Sequence, residues 1–460
     1  MKKKFLSKAL AATLTAVMVL SAVGCGSKES DEKEPSQESS EEEATEEKAY
    51  SGKVVINAGG AGHNPAIPEA IEVLKGMDKY KDVEFELLPY EGEEYEHTMP
   101  IQVMGGEQID IVFNGNPMQQ EAFISGDITV PMTEQVEKYG VDLEKTYGSY
   151  AKYAYNNDEV YGIPAAATVW GLFYNKKIFD DAGIAYPDEK VPMTWDEYTE
   201  LAKQLTSGTG GDKTYGALHL EWPQFWYGEA IMALDGGEAF YKEDGSSNFD
   251  DPAFRKALER THKMMHEDQS IRTTADILTT KTISQAFFTG QYGMFLQGTW
   301  TLNWLLDQEE NPRDFEVGLA PLPVDAGTTQ KNWGICGTFS MTQTTVDKDL
   351  SFNVIVDLVR ETTKLTSSEI FADQTVPQDN LFVDVVNGIT PTDSQFTPEY
   401  VKSIFLNPEM KFVSEKITGP SALEYETIMM EETGLYFANE QDIDTTITNV
   451  VNRVNKVLGK

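Results

Sequence analysis

KVVINAGGAGHNPAIPEAIEVLKGM, residues 53–77, holds the fold in miniature. Lys53-Val54-Val55-Ile56-Asn57 is a short β-branched run that meets glycines, a strand feeding a loop. From Ile67 onward the apolar residues Ile67, Ile71, Leu74 and Met77 recur at helical spacing. Val83 to Leu88 opens with strand alternation, and Ile109-Asp110-Ile111-Val112-Phe113 is a further strand ending on Asn114-Gly115-Asn116-Pro117. Strand–helix–strand–helix order predicts an α/β protein with a largely parallel sheet and helices on both faces. Ligands of such sheets sit beyond the strand C-termini, which directs attention to Asn57–His63 and Asn114–Asn116.

Helix signals continue downstream. Thr194-Trp195-Asp196-Glu197 has capping-box spacing, and Trp195, Tyr198, Leu201, Ala202 and Leu205 follow on one face, so Trp195 is read as core. Asp251-Pro252 is an N-cap with a proline behind it, opening a helix that turns Phe254, Leu258 and Met265 inward. No internal repeat of the 20–50-residue kind is present.

The chain has 460 residues, 40% of them hydrophobic, enough for a large core and two or three domains. Its 75 acidic residues outnumber 37 basic ones, giving a net charge of −38. Such a surface repels phosphate backbones and anionic headgroups, so no nucleic-acid partner is expected. The two cysteines, Cys25 and Cys336, allow neither a disulfide framework nor a Cys-based zinc site. Cys336 is read as a small buried hydrophobe with a free thiol.

Residues 1–24 read as a signal peptide. Lys2, Lys3, Lys4 and Lys8 precede the uncharged stretch Ala9–Val23, which as a helix spans about 22 Å, short of a roughly 30 Å hydrocarbon core. The ending Ala22-Val23-Gly24-Cys25 resembles a bacterial lipoprotein signal, which implies a diacylated Cys25 as the mature N-terminus; Ala22 stands where that motif usually has Leu. Residues 25–50 then supply the lipidated cysteine and an acidic tether too polar to bury a core, predicted to be disordered. Its flexible part reaches on the order of 25–30 Å. Residues 51–460 keep 65 acids and 30 bases.

Within that body a series of short motifs arrives in fixed order. Gly162-Ile163-Pro164 precedes Leu172-Phe173-Tyr174-Asn175-Lys176-Lys177-Ile178-Phe179; Met193-Thr194-Trp195-Asp196-Glu197 follows. Then come Ala286-Phe287-Phe288-Thr289-Gly290, Gly293-Met294-Phe295, Gly298-Thr299-Trp300 and Val317-Gly318-Leu319-Ala320-Pro321-Leu322-Pro323. In order and spacing this resembles the extracellular solute-binding proteins of family 1, the carbohydrate-binding subunits of ABC importers that include maltose-binding protein. The resemblance covers essentially all of 51–460.

It implies a two-lobed periplasmic-binding-protein-like clamp (type II), each lobe a β-sheet flanked by helices, with multiple hinge crossings. Lobe one would be 51–165 plus 322–375 and lobe two 168–319 plus 380–460. The implied function is extracellular receptor, not enzyme: a sugar or oligosaccharide is held between the lobes and handed to the permease and its ATPase. A monomer is expected, on the outer face of the cytoplasmic membrane, touching it through the N-terminal lipid alone and using no cofactor.

A sugar presents apolar C–H faces ringed by hydroxyls, so its site needs aromatic platforms and fixed donors and acceptors. By the resemblance, Trp300 in the G-x-W turn stacks on the sugar, and the Glu221-Trp222-Pro223-Gln224 loop offers Glu221 and Trp222. Thr168 and Trp170 lie just past the first crossing, and Trp333 in Asn332-Trp333-Gly334 returns to the cleft from lobe one. Asn57 and His63 on the first loop, with Asn114 and Asn116 at a strand end, complete the set. Trp226 and Trp304 are read as core.

Other chemistries fail on the residues. Pro65 occupies the third glycine position of a G-x-G-x-x-G loop counted from Gly60, and His262-x-x-x-His266 lacks the Glu of H-E-x-x-H. No metal site and no catalytic residue is predicted. A lipid-anchored glycoside hydrolase would share the aromatic platforms but needs two carboxyls about 5–9.5 Å apart across one bond, and no motif singles out such a pair. The same clamp holding a non-sugar solute is the other alternative; an obligate anion site would want Arg at the loop ends, and the candidate loops have none.

The N-terminal reading has a direct test. Cys25→Ala should release the protein into the medium or block its maturation, checked by fractionating cells and sizing the product; a mutant as membrane-bound and as normally processed as the parent refutes lipidation.

Overall fold

Ile163–Asn175, thirteen residues of which all but Ala166 and Thr168 are buried, is the strand on which both halves of the protein are hung. The computed structural model describes residues 49–89, 94–327, 331–367, 369–407 and 410–460. The signal segment and the tether as far as residue 48 lie outside the described residues. None of the described helices is long and apolar enough to cross a membrane.

The main sheet runs Asp82–Leu87, Ser51–Asn57, Ile111–Asn114, Lys331–Thr342, Ile163–Asn175, Tyr292–Gly298, Tyr215–Leu218. The first three strands are parallel, as the strand–helix order predicts. The sheet as a whole is mixed, which corrects the expectation of a largely parallel one. Lys331–Thr342 runs antiparallel to both Ile111–Asn114 and Ile163–Asn175, and the latter is antiparallel to Tyr292–Gly298. The cause is topological: a chain that leaves one half on one long strand and returns on another must lay the two side by side in opposite directions.

Ile163–Asn175 changes partners midway. Up to Val169 it pairs with Lys331–Thr342; from Trp170 to Tyr174 it pairs with Tyr292–Gly298, and its last four residues also pair with Val317–Ala320. At the change-over the Asn332 side chain replaces a strand. Its Oδ1 accepts from the Trp170 N–H at 3.0 Å, and its Nδ2 donates to the Trp170 carbonyl at 2.6 Å. Gly334 makes the approach possible, since a Cβ there would stand 1.8 Å from the Thr168 carbonyl.

Helices form where the sequence signals place them. Ala66–Lys75 buries Ile67, Ala70, Ile71 and Leu74, ending two residues before Met77. Trp195–Leu205 begins with the complete Thr194–Glu197 capping box, and Pro252–His266 begins at the Asp251 N-cap, whose side chain accepts from the Ala253 N–H.

One buried ion pair pins the outer strand of the second half. Arg313 and Asp393 are 1% and 0% exposed and contact one another. The other Asp393 oxygen accepts from the Val317 N–H at 2.7 Å, at the start of Val317–Ala320. Removing one partner strands the other charge away from water. Asp393→Ala should therefore cost about 3–5 kcal/mol, read as a lowered urea midpoint at unchanged slope.

Candidate ligand-binding site

Six aromatic rings converge where the long strand changes partners. Trp170, 1% exposed, lies at the centre and meets four others edge to face. Its centroid distances are 6.2 Å to Trp222, 5.9 Å to Phe225, 5.8 Å to Trp300 and 5.7 Å to Trp333. Trp333 in turn stacks on Trp195 at 5.8 Å and 18°. Edge-to-face pairs add roughly 0.5–1.5 kcal/mol each beyond the area they bury. Trp222 and Trp300 are the half-buried members, tilted 56° to one another with centroids 6.5 Å apart. They form two walls of a V over Trp170.

Glycines seat two of these rings. A Cβ at Gly298 would lie 2.1 Å from the Trp300 indole, so Trp300 rests flat on the strand end two residues before it. That is the physical content of the G-x-W spacing. A Cβ at Gly228 would meet the Trp333 ring at 2.5 Å. Trp222 stands on the loop after Tyr215–Leu218, just ahead of Pro223 and the helix Gln224–Leu234.

Polar atoms without hydrogen-bond partners gather around the rings: Thr168 Oγ1, the indole nitrogens of Trp170 and Trp333, Gln224 Oε1 and Glu415 Oε2. Gln224 Nε2 donates to Glu415 Oε1 at 3.1 Å. Glu415 is 3% exposed and burial pushes its carboxyl up to about 7, opposed by Lys416, Gln224 and the nearby Trp170 N–H. Burial likewise raises Glu221 above the usual carboxylate range. Behind the cluster, burial pushes His219 down to about 3, so it is neutral, with Nε2 bonded to the Tyr198 hydroxyl at 3.0 Å.

The structure thus brings Trp300, Trp222, Trp170 and Trp333 to one place, with Glu221 beside Trp222 and Thr168 two residues before Trp170 along the chain, and with different exposures. Trp170 and Trp333, expected to line the cleft, are almost wholly covered by the rings packed on them. Asn114 is fully buried; its Nδ2 donates to Thr338 Oγ1 at 3.0 Å and Ser340 Oγ at 2.7 Å, tying two strands together. Asn57 is buried and bonds the Gly59 N–H at 3.2 Å, closing its own turn. Asn116 is the N-cap of Pro117–Ser125. Asn57 and Asn116 accept from backbone N–H groups where a strand ends and a helix begins, whereas Asn114 bonds to hydroxyls on the neighbouring strand. The His63 side chain lies outside the described residues. Trp226 is buried against Phe437, as read, and Trp304 packs half-buried on the core.

Sequence reasoning passed over Gln224 and Glu415. Gln224 sits in the segment already singled out by Trp222. Glu415 follows the strand Lys411–Ser414, which aligns with Lys331–Gly334, and nothing near it in sequence marks it. A cavity of about 470 Å³ lies elsewhere, lined by Gln120, Lys152, Tyr153, Tyr155, Glu238 and Thr418 among others, without a pair of indole faces. Among the described residues no group of three or more His, Cys, Asp or Glu could hold a metal ion.

The model of the bacterial extracellular solute-binding proteins matches residues 63–352. The chain belongs to this family. Among relatives, the lactose-binding protein of Rhizobium radiobacter is 26% identical over 204 residues, 43% of this chain and 42% of that protein. An arabinooligosaccharide-binding protein of Halalkalibacterium halodurans is 32% identical over 123 residues, 26% and 25% of the two chains. The matches to these and to the other leading relatives span half or less of those proteins. A sugar transporter structure from Rhizobium etli, in an open conformation, superposes with a TM-score of 0.67 at 21% identity, covering 88% of this chain and 99% of that one. A Listeria monocytogenes ABC substrate-binding protein in complex with cycloalternan gives 0.69 at 15% identity over the same shares. The fold of this solute-binding protein is therefore the two-lobed α/β clamp expected from its sequence.

Gly298→Ala tests the seating of the platform without touching its face. The added methyl overlaps the Trp300 ring, so stability should fall by about 1–3 kcal/mol with a changed near-ultraviolet circular dichroism spectrum. An unchanged spectrum would mean that the ring does not rest on that glycine.

Proposed function

We propose that this solute-binding protein is the receptor of an ABC importer for a sugar or oligosaccharide. The half-buried, mutually tilted pair Trp222 and Trp300 carries the proposal: two apolar faces bordered by Glu221 and Thr168 match a ring with C–H faces and a hydroxyl rim. Its relatives support the same class, among them a lactose-binding and an arabinooligosaccharide-binding protein, and a maltose/maltodextrin-binding domain of Bdellovibrio bacteriovorus bound to maltotriose has the same fold at a TM-score of 0.61 and 18% identity.

In this reading the lobes are 51–165 plus 322–375 and 168–319 plus 380–460. The change of partners between Val169 and Trp170 supports a first crossing close to that point. Ligand binds between the lobes and favours their closed arrangement by its differential affinity for it, and the permease reads that state. The saccharide leaves unaltered. Cys25 with its lipid and the acidic tether keep the receptor, as a monomer, at the outer face of the membrane.

A thermal-shift screen over mono- and oligosaccharides tests the ligand class. A ligand at about 100 times its Kd should add roughly 2.7 kcal/mol of stability. With the saccharide so found, Trp300→Ala should weaken binding by about 2–4 kcal/mol, roughly 30- to 1,000-fold, with a smaller loss of folding stability, about 1–2 kcal/mol. Trp195→Ala should instead lose about 3–5 kcal/mol of folding stability. No shift with any saccharide, or turnover of one, refutes the receptor reading; normal saccharide binding by folded Trp300→Ala moves the platform to Trp222.

A further inference from the structure

We propose that Glu415 is a proton-controlled positioning residue of the tryptophan cluster, pairing with Gln224 in its neutral form and with Trp170 in its ionised form. The inference deepens the reading of that cluster as the ligand platform. Its basis is an incomplete pair. Gln224 Nε2 already donates to Glu415 Oε1 at 3.1 Å, yet Gln224 Oε1 and Glu415 Oε2 are both acceptors without a partner. One proton on Oε2 converts the second acceptor into a donor and lets acid and amide bond twice. Without that proton Oε2 can only accept, and the nearby donor is the unpartnered Trp170 indole N–H.

The rest of Glu415 is fixed, so the change is confined to its carboxyl. Its N–H donates to the Gly334 carbonyl at 2.9 Å, and its own carbonyl accepts from the Tyr227 hydroxyl at 3.2 Å. The charged and titratable groups around it are few. Lys416 adjoins it and faces Glu426 at 3.7 Å. Glu426 comes from Ala422–Phe437, and Tyr227 from Gln224–Leu234 also reaches it at 3.3 Å. From the returning strand, Lys331 is held by Asp235 at 2.6 Å and by the Met232 carbonyl. Ile163–Asn175 presents only the indole of Trp170. Lys416, shared with Glu426, only partly offsets the burial, which pushes the Glu415 carboxyl up to about 7.

The sign follows. Between the ordinary glutamate range and about 7 the folded protein keeps a proton that the unfolded chain has lost, so this group's contribution to stability falls as pH rises through that window. A ligand that holds the cluster in its Gln224-paired arrangement favours the neutral form. Affinity should then decline above neutrality, by at most about tenfold per pH unit.

The test needs no ligand. Indole N–H signals of uniformly ¹⁵N-labelled protein are followed by NMR from pH 5.5 to 8.5, with the Trp170 signal assigned by its loss in Trp170→Phe. The Trp170 signal should move with a midpoint near 7 in the parent and in Glu221→Gln, and stay fixed in Glu415→Gln, whose amide imitates the neutral acid. A Trp170 signal that is flat in the parent overturns the proposal whatever the variants do. So does a step that persists in Glu415→Gln or disappears in Glu221→Gln. A failed saccharide screen would sink the receptor reading while leaving this titration to be decided on its own.

Discussion

The Asn332 amide bonded to both backbone groups of Trp170 is the contact on which the rest depends. A strand that changes partners exposes one residue's N–H and C=O to no ladder, and in a buried position that costs free energy comparable to a lost hydrogen bond for each group. Asn carries one donor and one acceptor on a short planar group, which is what a neighbouring strand would have offered. With that requirement met, Ile163–Asn175 can serve two sets of strands in one unbroken run. The site then forms where continuity was hardest to keep.

The cluster is built outward from that point. The Asn332 bonds fix the Trp170 backbone, and burial among Trp222, Trp300, Phe225 and Trp333 fixes its ring. Gly298 and Gly228 bring backbone to ring at contact distance, which leaves Trp300 and Trp333 little freedom of their own. Ordering these side chains is a cost met during folding, so that a ligand need not meet it again. This packing leaves Trp222 and Trp300 as the half-buried members of the cluster, with the buried tryptophans behind them.

Local chemistry was legible in the sequence, and cross-strand chemistry was not. The Thr194–Glu197 capping box, the Asp251-Pro252 helix start and the first strand–loop–helix unit are each decided by residues a few positions apart, and all form as read. The order of short motifs sufficed for the family, and the G-x-W turn pointed to Trp300. The antiparallel course of Lys331–Thr342 escaped, because its partners lie more than 160 residues away. The bonds that Asn57, Asn114 and Asn116 make within the fold escaped for a related reason. An Asn at a strand end looks the same in sequence whether its amide faces a ligand or satisfies a turn, a neighbouring strand or a helix N-terminus.

Partnering separates structural acids from those of the site. Asp393 is buried against Arg313, and Glu229 lies between Arg260 at 2.6 Å and Lys256 at 2.7 Å. Asp110, with no such cation among its contacts, accepts from the backbone N–H groups of Val55 at 2.9 Å and Val346 at 3.0 Å. Each of these carboxylates has its charge answered by the fold itself. Glu415, beside the Trp170 indole, accepts one amide hydrogen bond, and Glu221, next to Trp222 in the chain, is raised by burial alone. In a body with 65 acids, position along the chain could not have distinguished these two from the others. What distinguishes them is desolvation only partly offset by the fold, a cost that a hydrogen-bond donor from outside the fold, or a proton, would relieve.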